Sequence, residues 1–305
     1  MSAEDRPVEG IVSFLEPARR TIADAVRSRI VGQEPDRRAA ELFTAPGERW
    51  FSEDSPIRIV HSDVSMFIGG LRALLFQSLH PLAMAGVAQH SDYRRDPWGR
   101  LQRTADFLAA TTFGPAEEAQ RAIDMVKRVH TRVTGNSRDG RAYRANDPHL
   151  LRWVHVAEVD SFLCAHQRFG EQPLDQDERD AYVADTARVA RALGVPAPPT
   201  SERALRDQLR MFRPEMHASK EAKEAARYLV LTPPLPMPAR IGYSAIAAAA
   251  ISTLPRWVRM PLRLPYVPVA DVLVGRPLGE AVTRLFRWVL VEPEADSVRP
   301  DATTG

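Results

Sequence analysis

Eight histidines, His61, His80, His90, His130, His149, His155, His166 and His217, are the side chains best suited to hold a metal or move a proton near neutral pH. Their spacing excludes several kinds of chemistry. No His-Glu-x-x-His is present, so no single helix carries a zincin site, and without Glu-x-x-His there is no ferritin-like di-iron pair. Neither a Gly-x-Ser-x-Gly elbow nor a Gly-x-x-x-x-Gly-Lys-Ser/Thr loop occurs, so neither α/β-hydrolase nor P-loop chemistry has a basis in the sequence. The lone Cys164 excludes an intramolecular disulfide framework and any multi-cysteine zinc or iron–sulfur site. What remains is a site built on a single histidine.

His130 shares helical spacing with Ile123, Val126 and Val133, which turns its imidazole toward the core. A neutral imidazole on an apolar wall is what the iron of a haem takes as proximal ligand. A core histidine satisfied by hydrogen bonds has the same spacing, so both readings stand. Arg100, Arg103, Thr104 and Phe107 fall on one helix face, with Leu101, Ala105 and Leu108 on another. A guanidinium and a hydroxyl beside an aromatic ring suit a carboxylate such as a haem propionate, although an amphipathic helix exposing its arginines reads alike. His155 lies inward with Leu151, Val154, Glu158 and Phe162, and the Glu158 carboxylate one turn away makes a pair that either relays a proton or satisfies itself. His80 and His90 stand at helix boundaries, where capping and function are equal alternatives. His61, His149, His166 and His217 show no usable pattern.

Helix start and stop signals must position these residues. Asp147-Pro148 opens a long helix closed by Gly170; Asp96-Pro97 opens one toward Ala110; Gly114-Pro115 opens one ending near Gly135, taken as helical to Val133; Asp175 opens one closed by Gly194; and Pro81 starts a short one. Asp139-Gly140 is flanked by polar and charged residues, so no hairpin is expected there. The fold class is all-α, a single globular multi-helix domain over residues 10 to 290, with a flexible N-terminus at 1 to 9 and a disordered acidic tail at 291 to 305. The 41 basic and 39 acidic side chains leave a formal charge of +2, so no global field selects nucleic acid. The charged N-terminus is no secretory signal, and the expected location is cytoplasmic. The uncharged stretch Ile241 to Pro255 falls short of the roughly 20 residues that span a bilayer. The segment 256 to 288 carries six arginines against Asp271 and Glu280, which reads either as a solvated basic face or as a contact with the inner face of a membrane.

The run Gly69-Gly70-Leu71-Arg72-Ala73-Leu74-Leu75-Phe76-Gln77 is followed by His80-Pro81, Ala85-Gly86-Val87, His90-Ser91, Asp96-Pro97 and Arg100-Leu101-Gln102-Arg103-Thr104. Val129-His130, Val133-x-Gly135, Tyr143-x-Ala145, Asp147-Pro148 and Trp153-Val154-His155 continue the series. In this order the motifs resemble the MpaB and rubber-oxygenase catalytic domain over roughly residues 58 to 250, and the resemblance implies a globin-like helical core and haem b. It gives His130 the role of proximal iron ligand, and Arg100, Thr104 and His155 places around the cofactor. Arg100, Arg103 and Thr104 are the implied catalytic set. Arg103 stands where the latex-clearing branch has a lysine able to occupy the distal iron position, which a permanently protonated arginine cannot do. No carboxylate lies between Asp63 and Asp92 to match that branch's glutamate base. The expected function is a haem-dependent oxygenase using O2 on an apolar isoprenoid or lipid substrate. The alternative is a helical lipid-binding or membrane-associated protein without haem.

Overall fold

A proline in the first helical turn with a polar residue just before it starts four of the described helices, at Pro56, Pro81, Pro97 and Pro148. The computed structural model describes residues 42, 44–91, 95–233 and 235–290, so the expected N-terminal arm and acidic tail lie outside the described residues. The elements are α1 (Pro56–Ser62), α2 (Met66–Gln77), α3 (Pro81–His90), α4 (Pro97–Phe113) and α5 (Ala116–His130), then β1 (Thr134–Asn136) and β2 (Ala142–Arg144). After these come α6 (Pro148–Phe169), α7 (Gln176–Leu193), α8 (Glu202–Phe212), α9 (Lys220–Leu231), α10 (Met237–Thr253), α11 (Arg256–Leu262) and α12 (Arg276–Leu290), the last preceded by a π-helical turn, Asp271–Gly275. The Asp96 carboxylate accepts from the Gly99 N–H and that of Asp147 from the His149 N–H, so each satisfies an N–H that the helix itself leaves free. Asp175 and Glu178 form a reciprocal capping box at the start of α7, and Gly194 ends that helix with a φ of 103°.

The fold is built around α2 against α6, the most extensive helix pair among the described residues. Gly69 makes the approach close: a Cβ there would lie 2.8 Å from Cδ1 of Phe162. The two helices also share the buried Arg72, which is paired with Asp160 at 2.8 Å and donates to the Ser161 hydroxyl at 2.7 Å. Leu75, Phe76, Trp153, Val156 and Ala157 fill the interface. The alanine-rich α10, with Ala247, Ala249 and Ala250 buried, lies across α2, and α12 lies on α10, where Gly279 comes close to Ala249. On the other side α1 packs on α7, and α4 and α5 form a hairpin turned by Gly114 and Pro115.

Three expectations are corrected. A small antiparallel hairpin spans the Asp139-Gly140 turn, pairing Thr134 with Arg144 and Asn136 with Ala142. Its strands are three residues long and only Tyr143 is buried, too short for alternation to register; Tyr143 anchors them by packing with Ala85 and Leu150 and donating to Gln89 at 2.8 Å. Helix α5 ends at His130 and not at Val133, because the chain turns there into β1. Arg259 does not belong to a basic surface. It is buried, bonds both carboxylate oxygens of Asp271 at 2.9 and 2.8 Å, and caps the carbonyls of Leu254 and Ser252 at 2.6 and 2.5 Å.

Candidate functional site

The α4–α5 hairpin brings the N-terminal half of α4 to the end of the pair where α5 carries His130. His130 is half-buried, and desolvation holds its imidazole below the usual histidine range, so the ring is neutral at pH 7. Its ring nitrogens have no hydrogen-bond partner among the described residues. Arg100 is half-buried and donates to the Ser91 hydroxyl at 3.1 Å, which ties the start of α4 to the end of α3. Thr104 is exposed and donates back to the Arg100 carbonyl at 3.0 Å. Arg103 is two-thirds exposed and paired with Asp96 at 3.3 Å. The face expected to carry all three polar groups inward is therefore split: Arg103 and Thr104 face water, while Phe107, Leu108 and Thr111 turn further inside.

On α6, His155 and Glu158 keep some accessible surface, yet both are strongly desolvated. Loss of hydration pulls His155 down to about 4 and pushes the Glu158 carboxyl up to about 7. His155 Nε2 is buried without a hydrogen-bond partner. No hydrogen bond joins the pair, so they do not satisfy each other. Around them stands a polar group that the sequence alone does not assemble. His61 Nδ1 meets the Thr112 hydroxyl at 2.8 Å and its Nε2 the Tyr182 hydroxyl at 3.4 Å, and its ring packs edge-on to Phe162 and Tyr182. Desolvation, with a smaller push from His166, lowers His61 to about 3. The Glu158 charge contributes to the raised pKa of Tyr182, so α6 and α7 address the same interior region.

This wall can do two things. Its histidines are neutral at pH 7, His155 presents an unpartnered Nε2 to a ligand, and Glu158, balanced near neutrality, can take or give a proton. His166 adds a buried imidazole near His61, its Nδ1 without a hydrogen-bond partner, whereas His80, His90, His149 and His217 have partners elsewhere. His80 caps α3, its Nδ1 accepting from the Ala83 N–H at 3.4 Å, and His90 Nε2 meets the Thr134 carbonyl at 3.1 Å. A groove of about 700 Å³ between α3, the β1–β2 turn and the start of α9 has a mixed lining, with Pro81, Ala85 and Ala88 beside charged residues such as Arg138 and Lys220, and includes none of Arg100, His130, His155 or Glu158.

A family model described as ER-bound oxygenase mpaB/B'/Rubber oxygenase, catalytic domain, matches residues 57–289. The chain belongs to this family. The match runs from within α1 to within α12 and takes in His61, Arg100, His130, His155, Glu158 and Tyr182, so the wall lies inside an oxygenase catalytic domain. No curated protein and no solved structure matches the chain.

Proposed function

We propose that this family member is a haem b-dependent oxygenase acting on an apolar substrate with O2, with His130 as the iron ligand and the wall of α6 beside the reacting centre. The observation that carries the reading is two desolvated histidines, His130 and His155, the latter with a buried Nε2 that makes no hydrogen bond, within a chain of the rubber-oxygenase family. A haem needs a neutral imidazole as its iron ligand, and desolvation supplies one at each of these positions. Bound haem supplies the iron at which dioxygen is activated.

In this reading His130 holds the cofactor, Arg100 offers a guanidinium to an anionic edge, and Thr104 fixes the backbone of that helix turn. Glu158 holds or accepts a proton beside the substrate, a role open to it because burial keeps the carboxyl near its neutral point at pH 7. Phe107, Leu108 and Phe162 exclude water and favour an apolar substrate. Arg103 is engaged by Asp96 and remains a cation, so it serves no distal ligand role.

The reading includes reversible contact with an anionic membrane from the cytoplasmic side, through residues 256 to 288. Its support is a ridge of exposed apolar side chains, Val267, Val269, Val272, Leu273 and Val274, flanked by the exposed Arg256, Arg263 and Arg276. No single helix among the described residues is long and apolar enough to cross a membrane.

The test is the absorption spectrum of the full chain produced with adequate haem supply. One haem b per chain and an intense Soret band are expected. A colourless protein that takes up no added haemin would overturn the oxygenase reading in favour of a lipid-binding protein with the same interior.

A further inference from the structure

His80, His149 and Glu215, far apart in sequence, bring one ligand-type atom each within 4.8 Å of one another. His80 precedes α3, His149 lies in the first turn of α6, and Glu215 ends the 3₁₀ turn that follows α8. Packing of α3 and α8 on α6 draws them together. His149 Nε2 lies 2.8 Å from Glu215 Oε2, and His80 Nε2 lies 3.7 Å from the same oxygen. The cluster has a buried floor and an open mouth: the His80 side chain is 4% exposed, those of His149 and Glu215 48% and 46%. Phe212 and Trp153 wall one side, with ring centroids 4.7 Å from His149 and 6.4 Å from His80 respectively.

As hydrogen-bonded side chains alone the cluster is incomplete, because His80 Nε2 is buried and makes no hydrogen bond of normal length, its nearest acceptor being Glu215 Oε2 at 3.7 Å. Two imidazoles and a carboxylate are the donor set of zinc sites that keep an open position and of non-haem Fe(II) centres. Metal–ligand bonds of about 2.0–2.1 Å place tetrahedral donors about 3.3 Å apart, and the two separations of 2.8 and 3.7 Å fall on either side of that. We propose that His80, His149 and Glu215 form a binding site for one divalent transition-metal cation, with at least one coordination position open to solvent.

Two features set its strength. Coordination through Nε2 places the ring proton of His80 on Nδ1, which now faces the Ala83 N–H at 3.4 Å. Binding thus exchanges a long N-cap contact for a metal bond, at the expense of the first turn of α3. Arg141 stands close enough for its charge to act on His80, but it is paired with Asp139 at 2.8 Å, which offsets its repulsion of a cation. The site shares no residue with the proposed haem pocket, and the two stand or fall separately.

The experiment is calorimetric titration of the chelator-stripped full chain with Zn²⁺, together with the visible spectrum of the Co²⁺ form. One Zn²⁺ per chain and the intense d–d bands of four- or five-coordinate Co²⁺ are expected. His149→Ala and Glu215→Gln change half-exposed side chains, so each should keep the wild-type circular dichroism and haem content while weakening Zn²⁺ binding about tenfold or more. His80→Ala is the poorer probe because it also removes a helix cap. Absence of stoichiometric uptake by the wild type, or a His149→Ala/Glu215→Gln double variant that titrates like the wild type, would overturn the proposal.

Discussion

At the scale of single residues, neutral imidazoles and one carboxyl near its midpoint carry the functional argument. His130→Ala should remove most of the bound haem, read as loss of the Soret band, while the helical circular dichroism persists. Arg100→Ala and Thr104→Ala should weaken retention less, since neither is assigned to the iron bond. An unchanged spectrum in His130→Ala would pass the ligand role to His155, whose Nε2 is unpartnered. Glu158 gives a prediction in pH. Its folded value of about 7 lies above the ordinary 4.5, so between those limits the folded chain binds more protons than the unfolded chain and stability falls as pH rises. Glu158→Gln cannot titrate. Its stability relative to wild type, measured by urea unfolding at a series of pH values, should therefore rise steadily from pH 4.5 to above 7. A difference that stays flat across the window would mean that Glu158 is hydrated and not poised for proton transfer.

At the scale of elements, two adjacent glycines of α2 make the packing argument testable. The Cβ of an alanine at position 69 would meet Phe162 Cδ1 at 2.8 Å, the Phe162 backbone at 3.2 Å and Ala165 at 3.3 Å, so α2 and α6 would have to separate. Gly69→Ala should destabilise by about 1–3 kcal/mol, the usual cost of overpacking. At Gly70 nothing lies within 4 Å of the added methyl. Gly70→Ala should be neutral or stabilising by up to about 1 kcal/mol through helix propensity. Chemical denaturation of the two variants separates the effects, and equal shifts would show that the α2–α6 approach is not limiting.

For the whole molecule, the question is what the C-terminal apolar ridge meets. Val272 and Leu273 are exposed on the π-helical turn, next to a chain segment whose surface arginines outnumber its unpaired acids, since Asp271 is consumed by the buried Arg259. Flotation with anionic liposomes at low salt should carry the protein upward, and Val272→Asp/Leu273→Asp or Arg256→Glu/Arg263→Glu should each leave most of it in the soluble fraction. Charge reversal at Arg259 would report unfolding instead, because it would break five hydrogen bonds in the interior. Protein that stays soluble at every lipid composition would remove the membrane contact without touching the haem proposal.

The amino-acid order alone determined the all-helical class, the starts of α3, α4, α6 and α7 and the stops at Gly170 and Gly194, because capping bonds join residues two to four apart and leave a local mark. It also determined the family, through short motifs in fixed order, and put His130, His155 and Glu158 on inward faces by helical period. Tertiary structure alone decided which of these groups meet. His61 touches Thr112 and Tyr182, 51 and 121 residues away, and His80, His149 and Glu215 converge from three elements. The burial of Arg259 and the exposure of Arg103 and Thr104 were equally hidden, since a side chain's surroundings depend on how helices cross. Period and capping act within one or two turns, whereas desolvation and ligand convergence are set by neighbours that packing brings from elsewhere in the chain.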